Sequence, residues 1–292
     1  MKDQAGAGHP ATRAVIIGRP ITHARSPLIH GYWLDQLGID GAYDRREVMP
    51  GAVAAVLREL QAEGYAGGNV TVPHKEEAFM ACDRVTERAR IAGAVNTFWF
   101  EGSELNGDNT DGIGFVAHLS ETWPDWDREP AEIRIIGAGG AARGLIAPLL
   151  DRKVKAISVS NRSRERAETL CGDIRAVLPD APLGILDWSH RGDHLGSIDL
   201  LINTTSMGMD GQPPLDIDLS AMKRSGIVAD IVYVPLETPL LSMASRLGLR
   251  TLDGLGMLLH QAVPGFERWF GQRPSVTPAL RQHVFADLLA RQ

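Results

Sequence analysis

The feature that most constrains the fold is the stretch over residues 133–143, IRIIGAGGAAR. A short apolar run ends abruptly in small residues, and an apolar segment with helical spacing follows at once over residues 145–150. This pattern predicts a strand, a tight turn and a helix. Gly137 permits the turn, Gly139 lets the backbone approach a pyrophosphate, and Ala142 lets the helix pack closely against the strand. The same motif also occurs in ordinary glycine-rich turns, so it needs supporting context.

A dinucleotide is the expected ligand of this turn, because the N-terminus of the following helix offers unpaired N–H groups and a positive dipole end to phosphates. The residues expected to contact it are Gly137, Ala138, Gly139, Gly140 and Ala141.

The supporting context lies about twenty residues further on, where a second apolar strand over 156–160 ends at Asn161. An NAD site would place an acidic residue here to bind the ribose 2′-hydroxyl. Arg162 and Arg166 instead attract a 2′-phosphate, and they can converge on one anion if a helix begins near Ser163. The sequence therefore predicts NADP rather than NAD, bound by Asn161, Arg162, Ser163 and Arg166. The alternative is a solvated, charged helix face.

Length and composition limit the remaining possibilities. At 292 residues, the chain is long enough for two domains, since single cores rarely grow beyond roughly 250 residues. A net charge of −6 argues against nucleic acid or an anionic membrane as a partner, because both select basic surfaces. Cys82 and Cys171 are isolated, and the N-terminal region contains no apolar run of signal length. We therefore expect a cytoplasmic protein.

Alternating strand and helix patterns run along the whole chain. The predicted class is α/β, with an N-terminal α/β substrate domain and a C-terminal Rossmann-type, doubly wound dinucleotide-binding domain. Residues 107–112 are expected to be an irregular loop before a helix at Ile113, and Ser26 is expected to be a helix N-cap. Pro264 is expected to kink its helix.

Loops at the ends of second-domain strands should face the cofactor, because open α/β sheets bind ligands beyond the carboxyl ends of their strands. Two such loops follow apolar runs, over residues 203–209 and 233–239. The further cofactor contacts expected in this region are Thr204, Ser206, Met207, Ile231, Gly254 and Met257.

Four sequence strings taken together resemble shikimate dehydrogenases: Ser26-Pro27 with His30, residues 69–75, residues 109–112 and residues 256–261. The resemblance covers nearly the whole chain, and Asn161-Arg162-Ser163 is similar to that family's NADP clamp, with serine where threonine is usual. It implies NADP-dependent, reversible oxidation of shikimate to 3-dehydroshikimate on the route to chorismate and the aromatic amino acids. The stretch over residues 123–130 is the expected linker between a substrate domain over 1–122 and an NADP domain over 131–256. The resemblance implies that helices of 257–292 pack back on the substrate domain.

The same resemblance implies roles for individual residues. The catalytic pair falls on Lys75 and Asp111. The substrate-binding residues, this pair included, would be Ser26, Thr71, Lys75, Asn96, Asp111, Tyr233 and Gln261.

One position departs from the family pattern. Two serines commonly hold the substrate carboxylate, and here the first of them is Ala24. Loss of one neutral hydrogen bond costs roughly 0.5 to 1.5 kcal/mol, a factor of a few to about ten in affinity. The substitution also leaves room for a differently substituted ring acid, so a quinate/shikimate dehydrogenase of broader specificity is an alternative.

Alcohol oxidation requires a group that takes the hydroxyl proton while hydride leaves. Lys75 either exchanges that proton, if burial outweighs its pairing with Asp111, or donates to the developing oxyanion as a fixed cation. The sequence does not choose between these roles. Plainer alternatives are that Lys75 lies on a helix surface, that Asp111 caps a helix, and that Asn96 satisfies backbone groups.

A non-catalytic NADP-binding regulatory protein is a second alternative, although such a protein has no need of a proton-handling pair. No metal is expected, because His23, His30, His74 and His260 have no second ligand at zinc-like spacing. The chain is expected to be a monomer or a homodimer, and the sequence does not distinguish them.

Overall fold

Two six-stranded sheets, formed one after the other along the chain, organise the structure. The computed structural model describes residues 11–290, so residues 1–10 and 291–292 of the expected substrate domain lie outside the described part. Within 11–290, no helix combines the length and apolar character needed to cross a membrane. The two sheets confirm the predicted α/β class.

The first sheet is mixed and has the strand order β2-β1-β3-β5-β6-β4. Its strands are β1 (Thr12–Gly18), β2 (Gly41–Glu47), β3 (Tyr65–Val70), β4 (Arg84–Val85), β5 (Thr97–Glu101) and β6 (Glu104–Asp108). β1 runs parallel to both β2 and β3, whereas β5 is antiparallel to β3 and β6. Because residues 14–17 are apolar and buried, β1 lies inside the sheet between two layers of helices.

The second sheet is entirely parallel and has the order β12-β11-β10-β7-β8-β9. Its strands are β7 (Ala131–Ile136), β8 (Val154–Ser160), β9 (Leu183–Leu186), β10 (Leu200–Asn203), β11 (Ile227–Asp230) and β12 (Arg250–Leu252). The chain leaves β7 toward β8 on one side and later returns to β10 on the other. The carboxyl ends of β7 and β10 therefore form the topological switch point at which such sheets bind ligands.

Eleven α-helices cover the two sheets within residues 11–290. They are α1 (Ser26–Leu37), α2 (Val53–Ala62), α3 (Lys75–Ala81), α4 (Glu87–Ala92), α5 (Asp111–Thr122), α6 (Gly140–Leu150), α7 (Arg164–Val177), α8 (Pro239–Arg246), α9 (Gly254–His260), α10 (Ala262–Phe270) and α11 (Pro278–Leu289). Helix α5 packs against both α6 and α9, so it joins the two units.

The C-terminal helices return to the first unit through a shared apolar core. Ile29 and Trp33 of α1 pack with Leu259 of α9, Phe266 of α10 and Leu280 of α11, and all five side chains are buried. This core holds α9 beside the first sheet and thereby brings residues near 260 to the residues of β3 and α5.

Three local predictions are wrong. Residues 107–112 are not all irregular, because Gly107 pairs with Phe98 in the sheet and α5 already begins at Asp111. Glycine fits this strand since a Cβ at position 107 would lie 2.6 Å from Cys82 Sγ. Ser26 is the first residue of α1 rather than its N-cap, which is Arg25 in helical conformation with no side-chain cap.

The third difference concerns Pro264. The helix is interrupted at Gln261, between α9 and α10, so Pro264 lies in the first turn of α10. Proline is tolerated there because the first N–H groups of a helix have no partner within it.

Candidate active site

A cleft of about 170 Å³, open to solvent, lies between the two sheets. All of the expected substrate-binding residues line it: Ser26, Thr71, Lys75, Asn96, Asp111, Tyr233 and Gln261. Three residues expected to contact the cofactor, Ile231, Gly254 and Met257, line the same cleft. Residues far apart in the sequence therefore line one cleft. In this cleft a small ligand would lie next to one end of a bound dinucleotide.

Lys75 and Asp111 form an ion pair in this cleft. Each is the first residue of its helix, α3 and α5 respectively. Lys75 Nζ donates to Asp111 Oδ2 at 2.5 Å, and the side chains are 31 % and 13 % exposed. The helix starts present both groups to the cleft, and solvent reaches the ammonium more easily than the carboxylate.

Asn96 is the polar centre of the site and is 3 % exposed. Its Nδ2 donates to Asp111 Oδ1 at 2.7 Å, so the second carboxylate oxygen is also held. Its Oδ1 accepts from the backbone N–H of Thr110 at 2.8 Å. The hydroxyl of Thr97 donates to the same oxygen at 3.0 Å. Asn96 therefore orients Asp111 as well as facing the cleft, and it does more than satisfy backbone groups.

Gln261 enters the site because α9 ends there. Asn96 Nδ2 lies 3.4 Å from Gln261 Oε1, and Thr110 Oγ1 donates to the Gln261 carbonyl at 2.9 Å. Gly114 of α5 permits this approach, since a Cβ there would lie 2.5 Å from the Gln261 backbone nitrogen. The helix pair α5 and α9 is therefore in direct backbone contact at the cleft.

Two residues of the site were not singled out from the sequence. Asn69 lines the cleft and donates through Nδ2 to the Asn96 carbonyl at 3.1 Å and to Thr97 Oγ1 at 3.0 Å. Tyr43 donates to Asn69 Oδ1 at 2.5 Å, and burial raises the pKa of this phenol, which keeps it a donor. Asn69 begins the 69–75 string, and a polar side chain inside a buried strand was the available signal.

The other three expected substrate-binding residues lie in a loop or at the start of a helix. Ser26 begins α1, Thr71 follows β3, and Tyr233 follows β11. Burial raises the pKa of Tyr233, so this residue offers a neutral hydroxyl. The neighbouring Arg25 is 9 % exposed and pairs with Asp287 of α11 at 3.0 Å. Ala24 does not line the cleft.

The glycine turn has the geometry expected for phosphate binding. Gly137 has φ of +115°, and a Cβ there would lie 2.5 Å from Thr204 Oγ1. Thr204 donates through this oxygen to the Ile136 carbonyl at 2.8 Å, joining the ends of β7 and β10. Gly139 is the N-cap of α6, and neither Gly139 nor Gly140 has an atom within 4 Å of its Cβ position. The α6 N-terminus is thus open to a ligand together with Ala138 and Ala141.

The arginines at positions 162, 164 and 166, after β8, differ in whether they form ion pairs. Ser163 caps α7 by accepting from the Arg166 N–H, which confirms the predicted helix start. Arg164 pairs with Glu168 and with Asp187. Arg162 and Arg166 are exposed, and within residues 11–290 neither has an ion-pair partner. The two arginines expected to bind a 2′-phosphate are therefore the unpaired ones.

The loop with Ser206 and Met207 is held by a buried pair of residues that the sequence did not single out. Asn203 donates through Nδ2 to the Met207 carbonyl and to Asp230 Oδ1, both at 3.0 Å. Burial raises the pKa of Asp230 to about 6. This pair fixes the loop after β10 against β11, beside the glycine turn.

Family models match three parts of the chain. Residues 16–98 match the shikimate dehydrogenase substrate binding domain, residues 123–208 match shikimate/quinate 5-dehydrogenase, and residues 254–282 match the shikimate 5′-dehydrogenase C-terminal domain. The matched segments include most of the residues that line the cleft.

Whole-chain comparisons agree with these matches. Shikimate dehydrogenase (NADP(+)) of Methylocella silvestris is 50 % identical over 278 residues, which cover 95 % of this chain and 97 % of that protein. Among solved structures, the quinate dehydrogenase from Corynebacterium glutamicum in complex with NAD is 28 % identical, with a TM-score of 0.87 over 94 % of this chain and 99 % of the other.

Shikimate 5-dehydrogenase from Thermus thermophilus, in complex with NADP(H) and shikimate, is likewise 28 % identical, with a TM-score of 0.82 over 95 % of this chain and 99 % of the other. Identity of one half over nearly the full length of both proteins, together with three matching domain models in order, is decisive. The chain belongs to the shikimate dehydrogenase family.

Proposed function

We propose that this protein oxidises shikimate to 3-dehydroshikimate with NADP⁺ and catalyses the reverse reduction, in the pathway to chorismate and the aromatic amino acids. The proposal rests on one observation. Lys75, Asp111 and the five other expected substrate-binding residues line one cleft beside the switch point of the parallel sheet. The 50 % identity to a shikimate dehydrogenase (NADP(+)) supports the same reaction.

The Lys75–Asp111 pair is the proposed catalytic unit. Oxidation removes a hydride from the carbinol carbon and a proton from its hydroxyl. The pair is the proposed acceptor of this proton, with Lys75 Nζ hydrogen-bonded to Asp111 Oδ2. The 31 % exposure of the Lys75 side chain lets the proton pass to solvent. Asn96 fixes Asp111 Oδ1 and so orients the unit.

The other cleft residues are proposed to position the substrate. Ser26 and Tyr233 offer hydroxyl groups for the ring carboxylate, and Thr71, Asn96 and Gln261 offer donors and acceptors for ring hydroxyls. Polar neutral groups suit this task, since they orient a polyhydroxylated ring without strong charge repulsion.

Three structural features of the second unit suit NADP⁺. The α6 N-terminus is open, Gly137 has the positive φ that brings its turn beside Thr204, and Arg162 and Arg166 are unpaired within residues 11–290. When bound, the nicotinamide supplies the hydride acceptor. Asn161, Ser163, Ser206, Met207, Ile231, Gly254 and Met257 are the further proposed contacts.

The proposed domains follow from these separate sets of substrate and cofactor contacts. Residues 1–122, with the helices of 257–292 packed back on them, form the proposed substrate domain, and residues 131–256 form the proposed NADP domain. The buried core shared by α1, α9, α10 and α11 supports this return of the chain. A monomer or homodimer in the cytoplasm, with Cys82 and Cys171 as free thiols, completes the proposal.

A quinate/shikimate dehydrogenase of broader specificity is the second candidate. The structural similarity to a quinate dehydrogenase in complex with NAD favours it. In the sequence it rests on Ala24, where the family commonly has a serine, although this side chain does not line the cleft. A regulatory NADP-binding protein would carry the same fold but would show no turnover.

Steady-state assays with shikimate or quinate, each with NADP⁺ or NAD⁺, decide among the three. The proposal expects the highest kcat/KM with shikimate and NADP⁺. A kcat/KM with quinate equal to or above that with shikimate would favour the second candidate, and no turnover with any pair would favour the third.

A further inference from the structure

A second group of ligating side chains lies between α5 and α9. His118 and Glu121 are three residues apart on α5, and His260 is the last residue of α9. One ligand atom from each of the three lies within 4.8 Å of the others. The His118 and His260 rings stack with centroids 5.9 Å apart, and His260 Nε2 lies 2.7 Å from Glu121 Oε2. None of these side chains lines the catalytic cleft.

Imidazole nitrogens ligate metals through the free lone pair of the neutral ring. The His260 side chain is 15 % exposed, and its Nε2 already faces the Glu121 carboxylate.

His118 Nε2 needs a partner. This nitrogen is buried, and within residues 11–290 it has no hydrogen-bond partner. The other ring nitrogen, Nδ1, lies 3.4 Å from the hydroxyl oxygen of Thr122. A proton on Nδ1, donated to Thr122, leaves the lone pair on Nε2, the arrangement in which an outer hydrogen bond orients a metal-ligating histidine.

The surrounding charge favours a cation. Asp253 and Arg281 line the same cavity and neutralise each other through a 2.6 Å ion pair. Glu121, whose side chain is 59 % exposed, remains as the carboxylate not offset by an arginine or lysine in this cavity.

We propose that His118, Glu121 and His260 bind one divalent transition-metal ion of the Zn²⁺ class. Two imidazole nitrogens and one carboxylate suit Zn²⁺, whereas Mg²⁺ and Ca²⁺ prefer oxygen ligands throughout. The cavity of about 390 Å³ beside them admits the ion and leaves a fourth position for water. Zinc bonds of about 2.0 to 2.2 Å place ligand atoms about 3.4 Å apart, so the side chains adjust on binding. His260 Nε2 and Glu121 Oε2, now 2.7 Å apart, separate to accept the ion between them.

No local sequence pattern indicates this site, because the second histidine comes from another helix 142 positions away along the chain. The ion joins the two helices that carry site residues at their ends. Asp111 is the first residue of α5, and Gln261 directly follows His260. Metal binding therefore ties α5 to α9 without touching the reacting atoms.

Isothermal titration of the full-length, untagged protein with ZnCl₂ tests the proposal. We expect one Zn²⁺ per chain and no measurable binding of Mg²⁺. His118→Gln and Glu121→Gln should each raise the Kd for Zn²⁺ by about tenfold or more, since each removes one ligand. His190→Gln is the matched control, because His190 is exposed and lies outside this cavity.

Glu121→Gln keeps the test informative if His118→Gln perturbs packing against Gly256, where a Cβ would lie 2.2 Å from the His118 ring. The Glu121 side chain is mostly exposed, so thermal unfolding of its variant without metal should match the unsubstituted protein. Co²⁺ should give visible d–d absorption that is lost in both variants. Zn²⁺ binding with unchanged stoichiometry and Kd in both variants, or lost only in His190→Gln, would overturn the proposal.

Discussion

The choice between NADP⁺ and NAD⁺ is predicted to rest on two exposed arginines that the structure leaves unpaired. Arg162 precedes α7 and Arg166 lies in its first turn, and within residues 11–290 neither makes an ion pair. Substituting either by glutamine removes a positive charge while retaining most of the side-chain length. The substitution should weaken NADP⁺ and leave NAD⁺, which lacks the 2′-phosphate, almost unaffected.

The expected magnitude follows from the exposure of these side chains. A hydrogen bond to a charged group contributes about 1.5 to 3 kcal/mol, and screening by water and salt favours the lower end for exposed groups. About 1.5 kcal/mol corresponds to roughly tenfold in affinity. Arg162→Gln and Arg166→Gln should each raise the KM for NADP⁺ about tenfold, and the double variant should raise it further, toward a hundredfold if the effects add.

Arg164→Gln is the matched control, because its guanidinium already pairs with Glu168 and Asp187. Steady-state kinetics with both cofactors at saturating shikimate give the ratio of kcat/KM for NADP⁺ to that for NAD⁺. The reasoning is refuted if this ratio stays constant in the Arg162 and Arg166 variants, or if Arg164→Gln lowers it as much as they do.

Three further predictions concern the first unit. Asn96→Ala leaves the buried Thr110 N–H unsatisfied and removes a hydrogen-bond donor from Asp111. It should therefore lower the free energy of unfolding by about 2 to 4 kcal/mol in urea unfolding and reduce kcat in steady-state kinetics. Asn106→Ala is the control, because it loses only one long side-chain hydrogen bond of 3.3 Å. Ala24→Ser should lower the KM for shikimate by a factor of a few to about ten, and an unchanged KM would show that this position does not contact the carboxylate. Burial lowers the pKa of His30 to about 3, so the unfolded chain binds the extra proton below the ordinary value of about 6.5 and stability falls as pH decreases from there toward 3. His30→Phe should remove about 2 kcal/mol of the loss seen at pH 5, measured as the pH dependence of urea unfolding, and an unchanged slope would contradict the burial effect.

Local sequence patterns predicted much of the fold because the physics is local at those points. The glycine turn, the start of α7 near Ser163 and the parallel strands of the second unit each follow from residues adjacent in sequence. Residue 107 was expected in a loop, but tertiary pairing of Gly107 with Phe98 overrides the turn preference there. The start of α5 was placed two residues late.

The supporting hydrogen bonds of the site could not be predicted in the same way. Asn96 contacts Asp111 and Gln261 across 15 and 165 positions of sequence, and nothing local specifies which amide partner each will have. The histidine pair of α5 and α9 is similar, since His118 and His260 meet only after the C-terminal helices pack back on the first unit. Contacts of this kind depend on the assembled fold.

The central claim is that the Lys75–Asp111 pair handles the proton in shikimate oxidation, and kinetics of Lys75→Ala test it most directly. NADP⁺ affinity and the unfolding temperature, measured on the same preparation, control for damage elsewhere. The account predicts a fall in kcat of about 10² to 10⁴, the range typical of general acid–base groups, with nearly unchanged NADP⁺ binding. A variant that is folded, binds NADP⁺ and retains most of its turnover of shikimate would contradict it.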